Sequence, residues 1–258
     1  MPEPQPPVIV VPGITATSLE DTYPLSPDEI WSPVLNKDYD RIAMHPDDPR
    51  YEALEPSRVL PRSLFGIVYD DLVAALRHDL TSRADRPTPV YAFPYDWRQD
   101  CRRSIQQLAE FVVEVLNRCR LLPHYADVPP TRVDLVGHSM GGLLIAGYLT
   151  LKTARTRVRR VVTLGTPFRG AVDAVSKLST GMGTLTGDAP RDREREAART
   201  IPAIYQLLPS YGGLPNLFSK KNWQPSVVGT LWKYCRLHQA KIDGDKLFGQ
   251  LLKMASDF

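Results

Sequence analysis

Apolar β-branched runs alternate with apolar residues at helical spacing from Val8 to Gly170. Val8-Ile9-Val10-Val11 is a continuous apolar run of the kind a parallel sheet buries on both faces, and Pro12-Gly13 ends it. Tyr69, Leu72, Val73 and Leu76 predict a helix that Pro87 and Pro89 close before a second strand, Val90-Tyr91-Ala92-Phe93. Ile105, Leu108, Phe111, Val112, Val115 and Leu116 mark an amphipathic helix starting near Cys101 and stopping before Pro123. Then come the strand Val133-Asp134-Leu135-Val136, a helix-forming run from Gly142 to Leu149, and the strand Val161-Val162-Thr163-Leu164. This alternation predicts an α/β fold: a parallel sheet, helices on both faces, right-handed crossovers, and a site at the strands' C-terminal ends.

Two stretches break the rhythm. Residues 14–63 are rich in Pro, Asp and Ser with no sustained period, too long for a plain connection, and read as a surface excursion after the first strand. After Gly170 come Gly181-Met182-Gly183, the charged run Asp192-Arg193-Glu194-Arg195-Glu196, and apolar residues broken by Pro and Gly. The expected organisation is therefore a core over residues 1–175, holding the excursion, and a cap region over residues 176–258. No internal repeat or low-complexity tract is evident.

At 258 residues and 43% hydrophobic, the chain can bury a substantial core. A formal charge of +3 with dispersed basic residues lacks the footprint of a nucleic-acid binder. The densest basic cluster, Lys152, Arg155, Arg157, Arg159 and Arg160, reads as a solvated loop at a strand's N-terminal end, away from the site. Met1 to Pro7 is no charged leader before a long apolar segment, so a cytoplasmic location is expected. Cys101 and Cys119 flank one predicted helix about 27 Å long, beyond disulfide reach, and with Cys235 are expected as reduced thiols. No cluster has metal-ligand spacing and no glycine loop cradles phosphate, so neither metal nor cofactor is expected.

The chemistry concentrates at Gly137-His138-Ser139-Met140-Gly141, between the strand 133–136 and the helix-forming run that follows. At ordinary glycine and serine frequencies this spacing arises by chance roughly 0.1 times in such a chain. In strand–turn–helix context it is a nucleophile elbow: a tight turn, kept clear by Gly137 and Gly141, that presents Ser139 as a reactive alcohol. Acyl transfer also needs oxyanion donors, a base and an acid. The donors fall to the backbone N–H of Met140 and, in the loop after the first strand, of Ile14. In this fold the base follows the nucleophile in the chain, which leaves His238, in a run that reads as an exposed helix. His138 reads as a packing or hydrogen-bonding residue. Asp243 and Asp245 have no apolar strand leading into them, Asp173 comes early for the acid, and no triad is completed.

Further segments carry a resemblance: Val8 to Ile14; Ile30-Trp31 with Leu35-Asn36; Pro94-Tyr95-Asp96-Trp97-Arg98; Leu164-Gly165-Thr166-Pro167-Phe168-Arg169-Gly170; and Ile204-Tyr205-Gln206-Leu207-Leu208-Pro209. With the elbow, they make the chain resemble the lecithin:cholesterol acyltransferase-like branch of the α/β-hydrolases, alongside lysosomal phospholipase A2 and the phospholipid:diacylglycerol acyltransferases. The resemblance implies acyl transfer from a lipid ester to Ser139, then to water or an alcohol, with Ile14 and Met140 at the oxyanion positions. The family's aspartate and histidine lie on later strands, and the sequence is expected to stop before them, as a truncated reading frame or an N-terminal two-thirds would. The alternatives are a catalytically incomplete domain or binding module, and a short-chain carboxylesterase. Asp96 and Arg98 read as a hydrogen-bonding anchor with Trp97 packed beneath the excursion. Trp31, Phe65, Leu214, Leu217, Phe218 and Trp223 read either as core or as lining of an acyl groove or lipid contact. The expected partner is a lipid or ester substrate, with transient contact to a lipid surface; oligomeric state is left open.

Overall fold

The structure, a computed structural model, describes residues 4–22, 26–34, 37–45, 59–181 and 192–258. Leu35-Asn36 and Met182-Gly183, singled out above, lie outside the described residues, as does 46–58 of the excursion. In chain order the elements are β1 (Val8–Val11), β2 (Thr17–Asp21), β3 (Asp28–Trp31), α1 (Tyr39–Ile42), β4 (Val59–Leu64), α2 (Gly66–Leu80), β5 (Val90–Ala92) and α3 (Cys101–Cys119). They continue with β6 (Val133–His138), α4 (Met140–Leu149), α5 (Ala154–Arg157), β7 (Val158–Leu164), α6 (Val172–Thr180), α7 (Asp192–Ala198), α8 (Pro202–Gln206), α9 (Pro225–Leu237) and α10 (Gly244–Ser256).

The chain divides into two compact units that interleave in sequence: residues 1–18, 61–95 and 102–166, and residues 19–60, 96–101 and 167–258. The first holds a parallel four-stranded sheet of order β5-β1-β6-β7, as the strand–helix alternation predicts. Val8 and Val10 cluster with Val90, Val136 and Tyr69, and Leu72, Val73 and Leu76 of α2 close over them. Strand alternation turns Ile9 and Val11 to the opposite face, both fully buried, where α4 packs on β1. Gly147 of α4 faces Ile105 of α3, whose terminal methyl would lie 2.2 Å from a Cβ there and would have to move to admit one. β7 forms the sheet's edge, and Val161, Val162 and Leu164 there are 38%, 50% and 39% exposed. Arg159 of the basic cluster is not simply solvated: it pairs with Asp134 and donates to the Gln5 side chain at 2.9 Å.

In the second unit, the stretch that shows no period in sequence contains an antiparallel pair, β2 with β3, and a short helix, α1. β2 does alternate, burying Thr17, Leu19 and Asp21, but two of its three inward residues are polar, which hides the period from a hydrophobicity pattern. Asp21 is accommodated by Arg41 of α1 at 2.7 Å. Past Gly170 the chain forms helices α6 to α10, several with buried polar groups. Lys177 meets Glu194 at 2.5 Å, Tyr39 donates to the same carboxylate at 3.0 Å, and Arg199 donates to the Leu178 carbonyl at 2.8 Å. Asp243 caps α10 by accepting from the Lys246 amide, and α9 ends at Leu237 with His238 as its cap. All three cysteines are buried and none is in a disulfide.

Candidate active site

Ser139 stands between the last residue of β6 and the first of α4 with φ 51° and ψ −124°, a conformation unfavourable for a residue with a Cβ. Such strain persists only where neighbouring contacts over-determine the backbone. Those contacts are visible. The Ser139 amide donates to the Leu164 carbonyl at 2.8 Å, and the Gly142 amide donates back to the Ser139 carbonyl at 3.1 Å. A Cβ on Gly141 would collide with the carbonyl oxygens of Val11 and Pro12, and one on Gly137 would lie 2.8 Å from Gly142 and from the Ile145 side chain. Gly142 is pressed by the Thr166 side chain, so the Leu-Gly-Thr-Pro run and the elbow fit one another by contact. Ser139 itself is half-buried.

The loop after β1 lies directly against this turn. A Cβ on Gly13 would sit 3.0 Å from the Ser139 Cβ. Gly13 to Ala16 form a tight turn, with Thr15 at φ 64°, a second strained position for a β-branched residue. Among the described residues no hydrogen bond engages the Ile14 amide.

Tyr69 joins the two pieces. Its hydroxyl accepts from the Gly13 amide at 2.9 Å and lies 2.7 Å from His138 Nδ1, with the ring 2% exposed. Since the Gly13 amide can only donate, the hydroxyl proton is left for Nδ1, which corresponds to the neutral Nε2–H tautomer of His138. Burial pushes the His138 pKa below its ordinary value and the Tyr69 pKa above its own, both consistent with a neutral pair. His138 is thus a hydrogen-bonding residue, as its place in the elbow suggests. Tyr69 was legible only as one apolar position of a helix; its hydroxyl's partners lie 56 and 69 residues away in sequence. The Tyr95 hydroxyl also braces this loop, donating to the Pro12 carbonyl at 3.0 Å.

His238 belongs to the second unit. It is exposed, its ring 5.6 Å from His45 and 4.3 Å from Tyr234, and its pKa is lowered by desolvation and by His45. In the same unit Arg98 grips Asp96 with two parallel bonds, Nε to Oδ1 at 2.9 Å and Nη2 to Oδ2 at 2.8 Å, while Trp97 meets Trp31 edge-on at 4.9 Å. The anchor reading of Pro-Tyr-Asp-Trp-Arg is the one the geometry supports. Asp173 lies in the first turn of α6 and Asp245 accepts from Trp232 Nε1 at 2.7 Å. Among the described residues no cluster of three His, Cys, Asp or Glu could hold a metal ion.

A parallel sheet with the helix order described above and a strained serine at a strand-to-helix turn define an α/β-hydrolase-type protein. The family model described as lecithin:cholesterol acyltransferase matches residues 68–234, and the chain belongs to that family. A GPI inositol-deacylase of Rattus norvegicus is 38% identical over 65 residues, 25% of this chain and 7% of that protein, so the chain spans a small fraction of that relative's length. A chain in the solved Tle4–Tli4 complex superposes with a TM-score of 0.69 at 16% identity, covering 98% of this chain and 71% of that one. At that identity the likeness speaks for the fold alone.

Proposed function

We propose that this protein carries out serine-dependent acyl transfer on lipid esters. Ser139 Oγ attacks the ester carbonyl and forms an acyl-enzyme as the alcohol leaves; water or a second alcohol then takes the acyl group and restores the serine. The backbone amides of Ile14 and Met140 are the proposed donors to the tetrahedral oxyanion, a contribution of about 3 kcal/mol to the barrier for each such donor. The observation that carries this reading is the strained backbone of Ser139, held by Gly137, Gly141 and Gly142 and abutted by Gly13. Family membership supports the lipid-ester class. The expected division into a hydrolase core through residue 175 and a cap region after it belongs to the same proposal, which assigns neither base nor acid.

A fluorophosphonate probe tests it. Labelling of the protein, abolished by Ser139→Ala, is the expected result; labelling that persists in the alanine variant rejects Ser139. A second reading has its own observation: among the described residues no hydrogen bond joins an imidazole to Ser139 Oγ, His138 being engaged by Tyr69. Under that reading the domain is a catalytically incomplete hydrolase or a binding module, and it leaves the protein unlabelled by the probe while still binding ester. Turnover compared across short and long acyl chains separates lipid-directed activity from a short-chain carboxylesterase.

A further inference from the structure

The second unit carries an open groove of about 690 Å³ bounded by α9, the start of α10 and the turn Lys220–Asn222. Its volume is in the range that holds a drug-sized or acyl-chain ligand. Trp223 and Trp232 wall it, with Pro225 and Val228 between them. Both indole N–H groups are engaged within the protein, Trp223 donating to the Leu217 carbonyl and Trp232 to Asp245, each at 2.7 Å. What the two rings themselves offer is therefore carbon surface, with the Arg236 guanidinium over the Trp232 ring, 5.7 Å from its centroid. Both are half-buried, so each presents part of its ring to the groove while the rest packs within the unit.

Two further features point to the occupant. Gly229 lies within α9, where glycine weakens a helix, yet a Cβ there would meet nothing within 4 Å. Packing does not require the glycine; its effect is to leave the groove open by the depth of a side chain. At the lip, Lys220 is paired with Asp245, whereas Lys221 is exposed and has no ion pair among the described residues. An apolar trough with one uncompensated ammonium at its edge complements a ligand with one long apolar tail and one negative charge. The geometry points to a binding site for a single long-chain fatty acid anion, its tail between the indoles and its carboxylate at Lys221. The inference does not depend on the chemistry proposed for Ser139.

The test uses Ser139→Ala protein, so that turnover cannot intervene, titrated with 9,10-dibromostearate below its micelle concentration. Bromine quenches only indoles that the bound chain touches; Trp31 and Trp97 are buried against each other. The expected result is saturable one-to-one quenching whose amplitude falls by about half in Trp223→Phe and again in Trp232→Phe. Gly229→Leu, a helix-compatible filling of the trough, weakens binding at least tenfold without lowering the melting temperature. Lys221→Ala removes the preference for the acid over its methyl ester. Quenching indifferent to Gly229→Leu overturns the proposal. So does quenching seen only with brominated phosphatidylglycerol vesicles and not with the monomeric acid, which would make the face a membrane contact.

Discussion

One hydroxyl, that of Tyr69, serves both sides of the candidate site. It holds the Gly13 amide that begins the loop beside Ser139, and it holds the imidazole of the residue before the serine. Tyr69→Phe keeps the ring that fills the space beneath α2 but leaves the buried Gly13 N–H without an acceptor. An unsatisfied buried group costs about 1–3 kcal/mol. The expected outcome is a loss of that size in urea unfolding, accompanied by weaker fluorophosphonate labelling, because the loop loses its tether. Unfolding energies equal to wild type would show that the bridge contributes nothing. Strain at Thr15 and Ser139 is affordable only while such contacts hold, so effects at these neighbouring positions should not be additive.

Among the elements, the segment after β5 is built on a buried ion pair. Arg98 is fully buried, and Asp96 supplies both oxygens to its guanidinium. Removing one member of such a pair strands the other, at about 3–5 kcal/mol. Asp96→Asn should therefore lower the denaturant midpoint strongly, and Arg98→Met combined with Asp96→Leu should recover much of the loss; equal damage from the single and double variants would argue that something other than the buried charge is responsible. The elements written in apolar residues were legible in the sequence: β1, β5, β6, α2, α3 and the elbow all lie where the pattern predicts. Those built on inward polar groups were not. Asp21 in β2, Lys177 in α6, Glu194 in α7 and Arg199 just after it are buried by making bonds to residues distant in sequence, which hydrophobic periodicity does not register. The same holds for the site. Ser139 is announced by its glycines, whereas the Tyr69 bridge exists only once the chain is folded.

At the scale of the whole molecule, neither compact unit is one continuous stretch of chain. A cut at any single point cannot isolate either of them, and residues 176–258 alone lack the excursion segment, 19–60, grouped with them. The three cysteines are distributed across this arrangement, Cys119 in the first unit and Cys101 and Cys235 in the second, every one buried. Burial raises the Cys119 pKa, which suppresses the reactive thiolate still further. In native buffer a small alkylating reagent should add nothing within minutes, and in full denaturant it should add three groups, as counted by intact mass. Rapid native modification at any cysteine would contradict its burial. Sequestered this way, the thiols become a stopwatch: in intermediate denaturant, the order in which Cys119 and Cys235 acquire label tells which half of the molecule comes apart first, in a single chain carrying no tag or dye.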